Sequence, residues 1–284
     1  MEKSILHILA GREKKIGHDA SVLQPLPHKD FRFANPFIVL HHRLPEMIRA
    51  GSHHRLAPHP HRGFAPVTFM LKGEGYHKDN AGHDEIVKEG GVQWMFAGKG
   101  VLHSEGPSEK MLKDGGVMEF IQLWVNVPRA RKWDEPSYQS VPKEELPEVH
   151  RQEGVSLRLA SGEYDGSRGP VQTFTPIISL FGEIKQGTQI KFSAHPGFWT
   201  LLYLASGQLA VNGKQADKHH LMVFEKENEE ISVDCKEDAQ ILFLSAEPID
   251  EPVAAKDNFV MNTQEETDQA IADYKNGLFG TLSF

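Results

Sequence analysis

The chain has 284 residues, of which 39% are hydrophobic, 25% charged and 9% aromatic. That composition excludes disordered, collagen-like and coiled-coil classes and allows one large domain or two compact ones. The net charge of −8 disfavours the clustered Lys and Arg that track phosphates, so no direct nucleic-acid partner is expected. Cys235 is the single cysteine; it permits no intrachain disulfide and no CxxC zinc site, and it suits a buried position in a reducing compartment. With no secretory h-region and no apolar run of membrane-spanning length, the expectation is a cytoplasmic protein without a membrane partner.

Histidine is unevenly placed. Of 16 histidines, 12 lie at or before position 103, where an even spread would put about 6, and imidazole is a common metal ligand and proton carrier. His41, His42, His53 and His54 lie in loop-like sequence. They are followed by HPHRGF, with His59 and His61 at i, i+2; on a strand alternate residues share a face, so both rings can point at one ion. The next segment, GEGYHKDNAGH, reads as a hairpin in which His77 and His83 are exposed rather than ligating, because Asp79, Asn80 and Gly82 supply turn chemistry. Then KGVLHSEG places His103 and Glu105 again at i, i+2. Two such pairs on neighbouring strands would offer three nitrogens and one carboxylate to a single first-row divalent cation, Fe, Mn, Ni, Cu or Zn, with positions left open.

Around and after these motifs the chain carries short apolar runs separated by Gly and Pro: PVTFML, GGVQWMF, VMEFIQLWVNV, WTLLYLA, QLAVNG, HLMVFE, ISVDC and AQILFLS. They have strand length and β-branched or aromatic content, which predicts an all-β sandwich or barrel. Residues 131–170 are polar and Pro-rich and read as a connecting segment between two domains. A repeat supports the division: TFMLKGEGYHKDNAGH around Gly73 overlays LLYLASGQLAVNGKQ around Gly207, as two barrels head to tail. The overlay puts Ser193 and His195 opposite His59 and His61, and Ile231 and Val233 opposite His103 and Glu105, so the second barrel is expected to hold no metal. The domain plan is therefore a metal-binding barrel over 1–130, a connection over 131–170, a degenerate barrel over 171–262 and a helical tail over 263–284. The helix is expected where Thr263 caps TQEETDQAIADYKNG, with Glu266 as its capping-box partner and Gly277 as the stop.

HPHRGF, VQWMFAGKGVLHSE, IQLWVN with EPSYQ, and FVMNT before a helix ending in YKNGLFG together resemble the pirin family of the cupin superfamily. The resemblance implies two tandem cupin (double-stranded β-helix) barrels with a C-terminal helix. It also implies one mononuclear metal, usually iron, held by His59, His61, His103 and Glu105. Several family members resemble flavonol dioxygenases, which open quercetin with molecular oxygen; in that reading Glu105 would also act as the catalytic base. Phe64, Phe96, Phe120 and Trp124 are candidates for an apolar pocket around a small aromatic substrate. The alternative implied by the family is a redox-responsive module that binds a protein partner without turnover. Family members usually continue the first motif as HPHRGFET, whereas this chain has Ala65 and Pro66, and Lys99 stands where Arg is usual. Pro66 lacks an N–H and belongs at a strand end or edge.

Overall fold

The structure, a computed structural model, describes residues 1–16, 20–53 and 55–283. His54, one of the early histidines, lies outside the described residues. The elements that matter below are β1 (Ile5–Ala10), β2 (Phe37–Ile48), β3 (His59–His61), β4 (Phe64–Lys72), β5 (Glu74–Asp79), β6 (Asp84–Lys88), β7 (Val92–Phe96) and β8 (Val101–Pro107). They continue as the short helix α1 (Glu109–Asp114), β9 (Gly116–Asn126), β10 (Ser137–Val141), β11 (Val155–Ser161), β12 (Ile177–Ile184) and β13 (Gln189–Ser193). The last are β14 (Trp199–Val211), β15 (His220–Phe224), β16 (Glu230–Ala246), β17 (Phe259–Met261) and helix α2 (Gln264–Lys275). The architecture is two tandem cupin domains, mostly β-strand, with a C-terminal helix, as the turn-punctuated apolar runs predict.

The two compact units interleave along the chain, where the expected division ran linearly through 1–130, 131–170, 171–262 and 263–284. One unit takes described residues of 1–42 together with 144–248; the other takes those of 43–143 together with 249–283. The cause is strand pairing between distant segments. In the first unit β1 runs antiparallel to β15, with Ile5 opposite Phe224 and Leu9 opposite Leu221. In the second unit Phe259 of β17 bridges Arg62, beside the HPH strand. The segment read as a connection also supplies structure: β10 pairs with β7, Tyr138 opposite Met95, and β11 pairs with β12, Leu157 opposite Gly182.

The 1–42/144–248 unit is filled by apolar side chains, among them Leu180, Phe192, Leu202, Phe224, Ile231, Val233 and Phe243. Phe192 and Phe243 stack with ring centroids 4.6 Å apart. Cys235 is buried among them, and burial pushes its thiol pKa up, which makes it an inert small hydrophobe as expected. His41 and His42 belong to β2 rather than to a loop; both are buried. His41 Nε2 is 2.9 Å from Gln24 Oε1 and His42 Nδ1 is 2.9 Å from the Tyr203 hydroxyl, so burial of each ring is matched by a hydrogen bond.

In the 43–143/249–283 unit, one sheet has the order β10-β7-β4-β9 and the other β3-β8-β5-β6. The second sheet carries the histidine motifs. α2 has the expected capping box: the Thr263 hydroxyl accepts from the Glu266 N–H and the Glu266 carboxylate accepts from the Thr263 N–H. The helix ends at Asn276, and Gly277 follows with φ +76°, a conformation that glycine adopts without strain. Its Ala270 is buried and its Ile271 partly buried against Leu102, Phe259 and Phe279, so the helix docks its apolar face on Phe259 of β17 and Leu102 of β8.

Candidate metal centre

The register of one strand pair assembles the histidines. β8 runs antiparallel to β3, with His103 opposite His59 and Val101 opposite His61. Because side chains alternate, His59, His61 and His103 emerge on one face. Their ring centroids lie 4.3 Å (His59–His103), 4.8 Å (His61–His103) and 5.1 Å (His59–His61) apart. Among the described residues, these three form the group whose ligand atoms all lie within 4.8 Å of one another. Two nitrogens each about 2.1 Å from a common ion would be about 3.0–4.2 Å apart, so a shift of roughly half an ångström is enough to bring the widest spacing onto one cation.

The hydrogen bonds specify which nitrogen each ring presents. His59 Nδ1 is 2.9 Å from the Ala57 carbonyl, and His61 Nδ1 is 3.3 Å from the Asn258 carbonyl. A carbonyl only accepts, so both Nδ1 atoms carry the proton and both Nε2 atoms keep a lone pair. His103 Nδ1 lies 3.4 Å from His77 Nδ1, while His103 Nε2 is buried with no hydrogen-bond partner. An orphaned buried nitrogen is costly unless something else satisfies it; a metal ion at this point fits all three rings. Burial, reinforced by the His59 imidazole, holds both His61 and His103 well below the ordinary imidazole pKa, which keeps them neutral and able to ligate.

Glu105 lies on the same face of β8 as His103, but its carboxylate is not within the trio of converging atoms. Both its oxygens accept from Gln122 Nε2 at 3.1 Å, and Gln122 Oε1 accepts from Trp124 Nε1 at 3.3 Å. Of the four pocket candidates, two border the site. The Phe64 ring is 5.2 Å from His61, Trp124 is 5.7 Å from His61, and the two aromatics lie 4.5 Å apart. Phe120 instead packs with Ile48, Met70, Met111 and Met118, and Phe96 is a buried core residue on β7, opposite Ser137 of β10. Ala65 is buried and, one residue on from Phe64, takes the opposite face of β4; the missing carboxylate of HPHRGFET therefore does not belong to the face that carries the imidazoles. Pro66 is the third residue of β4, before the ladder to β7 begins at Val67, which accommodates its missing N–H. Lys99 pairs with Glu135, and its carbonyl accepts from Arg62 Nε at 2.6 Å.

Sequence reasoning misses a polar group beside the trio. His77 is fully buried rather than exposed, because β5 extends through Asp79 and the turn is confined to the residues after it. His77 Nε2 is 3.0 Å from Asp79 Oδ2, and Asp79 also accepts from His83 Nδ1 at 2.8 Å and from the N–H groups of Ala81 and His83. Burial raises the Asp79 carboxyl, but hydrogen bonds from His77 and from the backbone and ring of His83 outweigh it and bring the pKa down to about 2. His83 is about one-third exposed. Tyr138 stacks on both rings, 4.5 Å from His77 and 5.2 Å from His83. The signal was present as an HxD at i, i+2, the same spacing as HPH and HSE.

Among the described residues, the 1–42/144–248 unit has no comparable group. Its strand β13 buries Ile190 and Phe192 and exposes Ser193, so the positions matched to His59 and His61 by the repeat have the wrong parity to face the interior. Ser193 and His195 instead line an open cleft of about 690 Å³ with His150, Tyr164, Lys191 and Glu229.

Three converging imidazoles, contributed by an HxH strand and its antiparallel neighbour, give this cupin a group that could hold a metal ion. Residues 18–125 match the family model described as Pirin, and residues 180–280 match the one described as Pirin C-terminal cupin domain. The chain belongs to the pirin family. It is 34% identical to Pirin-1 of Arabidopsis thaliana over 97% of this chain and 94% of that protein. The crystal structure of quercetin 2,3-dioxygenase from Acinetobacter baumannii superposes with a TM-score of 0.94 at 31% identity, covering 100% of both chains. A bacterial pirin from Escherichia coli in complex with nickel(II) shares the fold, with a TM-score of 0.64 at 19% identity over 86% of this chain and 99% of that one. Among the described residues no helix is long and apolar enough to cross a membrane.

Proposed function

We propose that this chain is a mononuclear metal-dependent oxygenase that opens a flavonol, or a similar planar aromatic bearing an acidic hydroxyl, with molecular oxygen. The observation that carries this reading is the imidazole trio, with His61 and His103 buried, His59 partly buried and His103 Nε2 unpartnered, bordered by the flat apolar rings of Phe64 and Trp124. His59, His61 and His103 would hold the ion through Nε2, with Glu105 as the fourth donor; iron(II) is the first ion to test, ahead of manganese, nickel, copper or zinc. Such an ion supplies a Lewis acid with open coordination positions. Glu105 accepts the substrate hydroxyl proton, and the two N–H···O contacts from Gln122 fix where that carboxylate stands. Phe64 and Trp124 exclude water and present faces on which an aromatic ring can lie. The name of the Acinetobacter relative supports a flavonol as the substrate, and the single buried Cys235 supports a cytoplasmic setting.

Protein loaded with iron(II) under air is expected to consume flavonol and oxygen in equimolar amounts, measured with an oxygen electrode and by loss of flavonol absorbance, and His59→Ala is expected to bring both to background. Metal-replete protein that takes up no oxygen across a panel of flavonols overturns the oxygenase reading. That result would leave the family's other role, a redox-responsive module with a protein partner. With Ala65 on the far face of β4, the departure from HPHRGFET gives that alternative no support of its own.

A further inference from the structure

The buried group on β5 is built around a single proton order. Asp79, held ionised by four donors, accepts from His77 Nε2–H. A neutral His77 then has a lone pair on Nδ1. Two neighbours face that lone pair, His103 Nδ1 and Gln93 Nε2, each at 3.4 Å. With its proton on Nδ1, His103 donates to that lone pair beside Gln93 instead of setting a second lone pair against it, and Nε2 is left bare toward His59 and His61. The Tyr138 ring lies within 19° of the His77 plane and keeps the imidazole from rotating out of this line. The strand register makes the arrangement possible, because β5 and β8 place Asp79 opposite His103 and His77 opposite Glu105. Ala57 and Asn258 orient His59 and His61 with backbone carbonyls; His103 alone of the trio is oriented through a side chain.

We propose that His77 and Asp79 are positioning residues for the metal centre: the carboxylate orients His77, and His77 fixes the tautomer and ring orientation of His103. The inference rests on the reading that His59, His61 and His103 bind a metal. Outer partners of this kind raise ligand basicity, and removing one typically costs about 10- to 100-fold in metal affinity.

Cobalt(II) is the probe, because its visible absorption reports ligand geometry independently of turnover. Wild-type protein, His77→Phe, His77→Gln and Asp79→Asn are compared for cobalt affinity by chelator competition, for the cobalt absorption spectrum and for thermal midpoint. His77→Phe is expected to weaken cobalt binding by about 10- to 100-fold and to alter the spectrum. His77→Gln, whose amide can both accept from His103 and donate to Asp79, is expected to restore most of the affinity; Asp79→Asn is expected to fall between the two. A folded His77→Phe protein with wild-type affinity and spectrum overturns the proposal. If His77→Phe does not fold, Asp79→Asn decides in the same way. Wild-type protein that binds no cobalt overturns the metal reading itself, a result distinct from variants that bind as well as the wild type.

Discussion

His103→Ala is expected to reduce bound metal from about one ion per chain to less than about a tenth of that after desalting, because loss of an outer partner alone typically costs about 10- to 100-fold in metal affinity and loss of a direct donor costs more. His103 is the largest loss available. Its ring stands closest to both partners, 4.3 Å from His59 and 4.8 Å from His61, and its Nε2 is the buried atom with no other way to be satisfied. The matching control lies in the other unit. His195→Ala is expected to leave metal content unchanged, because the interior of that barrel is closed by Phe192, Ile231 and Val233. Elemental analysis of the three proteins checks both statements. Full metal content in His103→Ala, or loss in His195→Ala, would place the ion elsewhere.

Gly63→Ala is the second large effect, and it acts through the backbone that carries the HPH strand. Gly63 has φ +83°, and a Cβ built there would stand 2.2 Å from the Val260 carbonyl oxygen and 2.6 Å from Met261 Sδ. The position is pinned on all sides: its N–H donates to the Gly98 carbonyl at 2.9 Å, and its carbonyl accepts from Lys132 Nζ at 2.7 Å. Lys132 is fully buried and also donates to Asn126 Oδ1 and the Val260 carbonyl, so Gly63 cannot move without breaking that group. A left-handed non-glycine residue costs about 1–3 kcal/mol and overpacking a similar amount, which gives an expected loss of about 2–6 kcal/mol. At about 2–4 °C per kcal/mol that lowers the melting midpoint by about 4–24 °C. Gly213→Ala isolates the backbone part, since Gly213 has φ +72° but nothing within 4 Å of the added carbon. A thermal scan in which the two variants melt together would contradict the steric argument.

The convergence of His59, His61 and His103 was legible because strand geometry has a period of two. Once each segment is a strand, HPH and HSE each place their two side chains on one face, and the antiparallel pairing of β3 with β8 was supplied by the structure. His77 and Asp79 follow the same spacing but were read as a hairpin tip: Gly, Asn and Asp in GEGYHKDNAGH dominate the local signal, and alternation alone does not tell a buried polar face from a solvated one. The tandem barrels were readable from turn-punctuated apolar runs. Their interleaving was not, because β1 finds its partner β15 more than 200 positions along the chain, and nothing local to Ile5–Ala10 records it. The repeat around Gly73 and Gly207 located the second barrel but missed its strand parity by one, which flips every side chain to the other face; Phe192, not Ser193, points inward. Phe64 and Trp124 reached the site because they flank His61 across β4 and β9, whereas Phe120 and Phe96 were drawn into the core by the same hydrophobicity that made them candidates.

Anomalous diffraction at the absorption edge of the metal found in the purified protein is the most direct measurement. A single peak within about 2.0–2.2 Å of Nε2 of His59, His61 and His103, with none in the 144–248 barrel, is the expected result. A peak elsewhere, or metal-replete crystals in which these three rings face only solvent, would contradict the assignment.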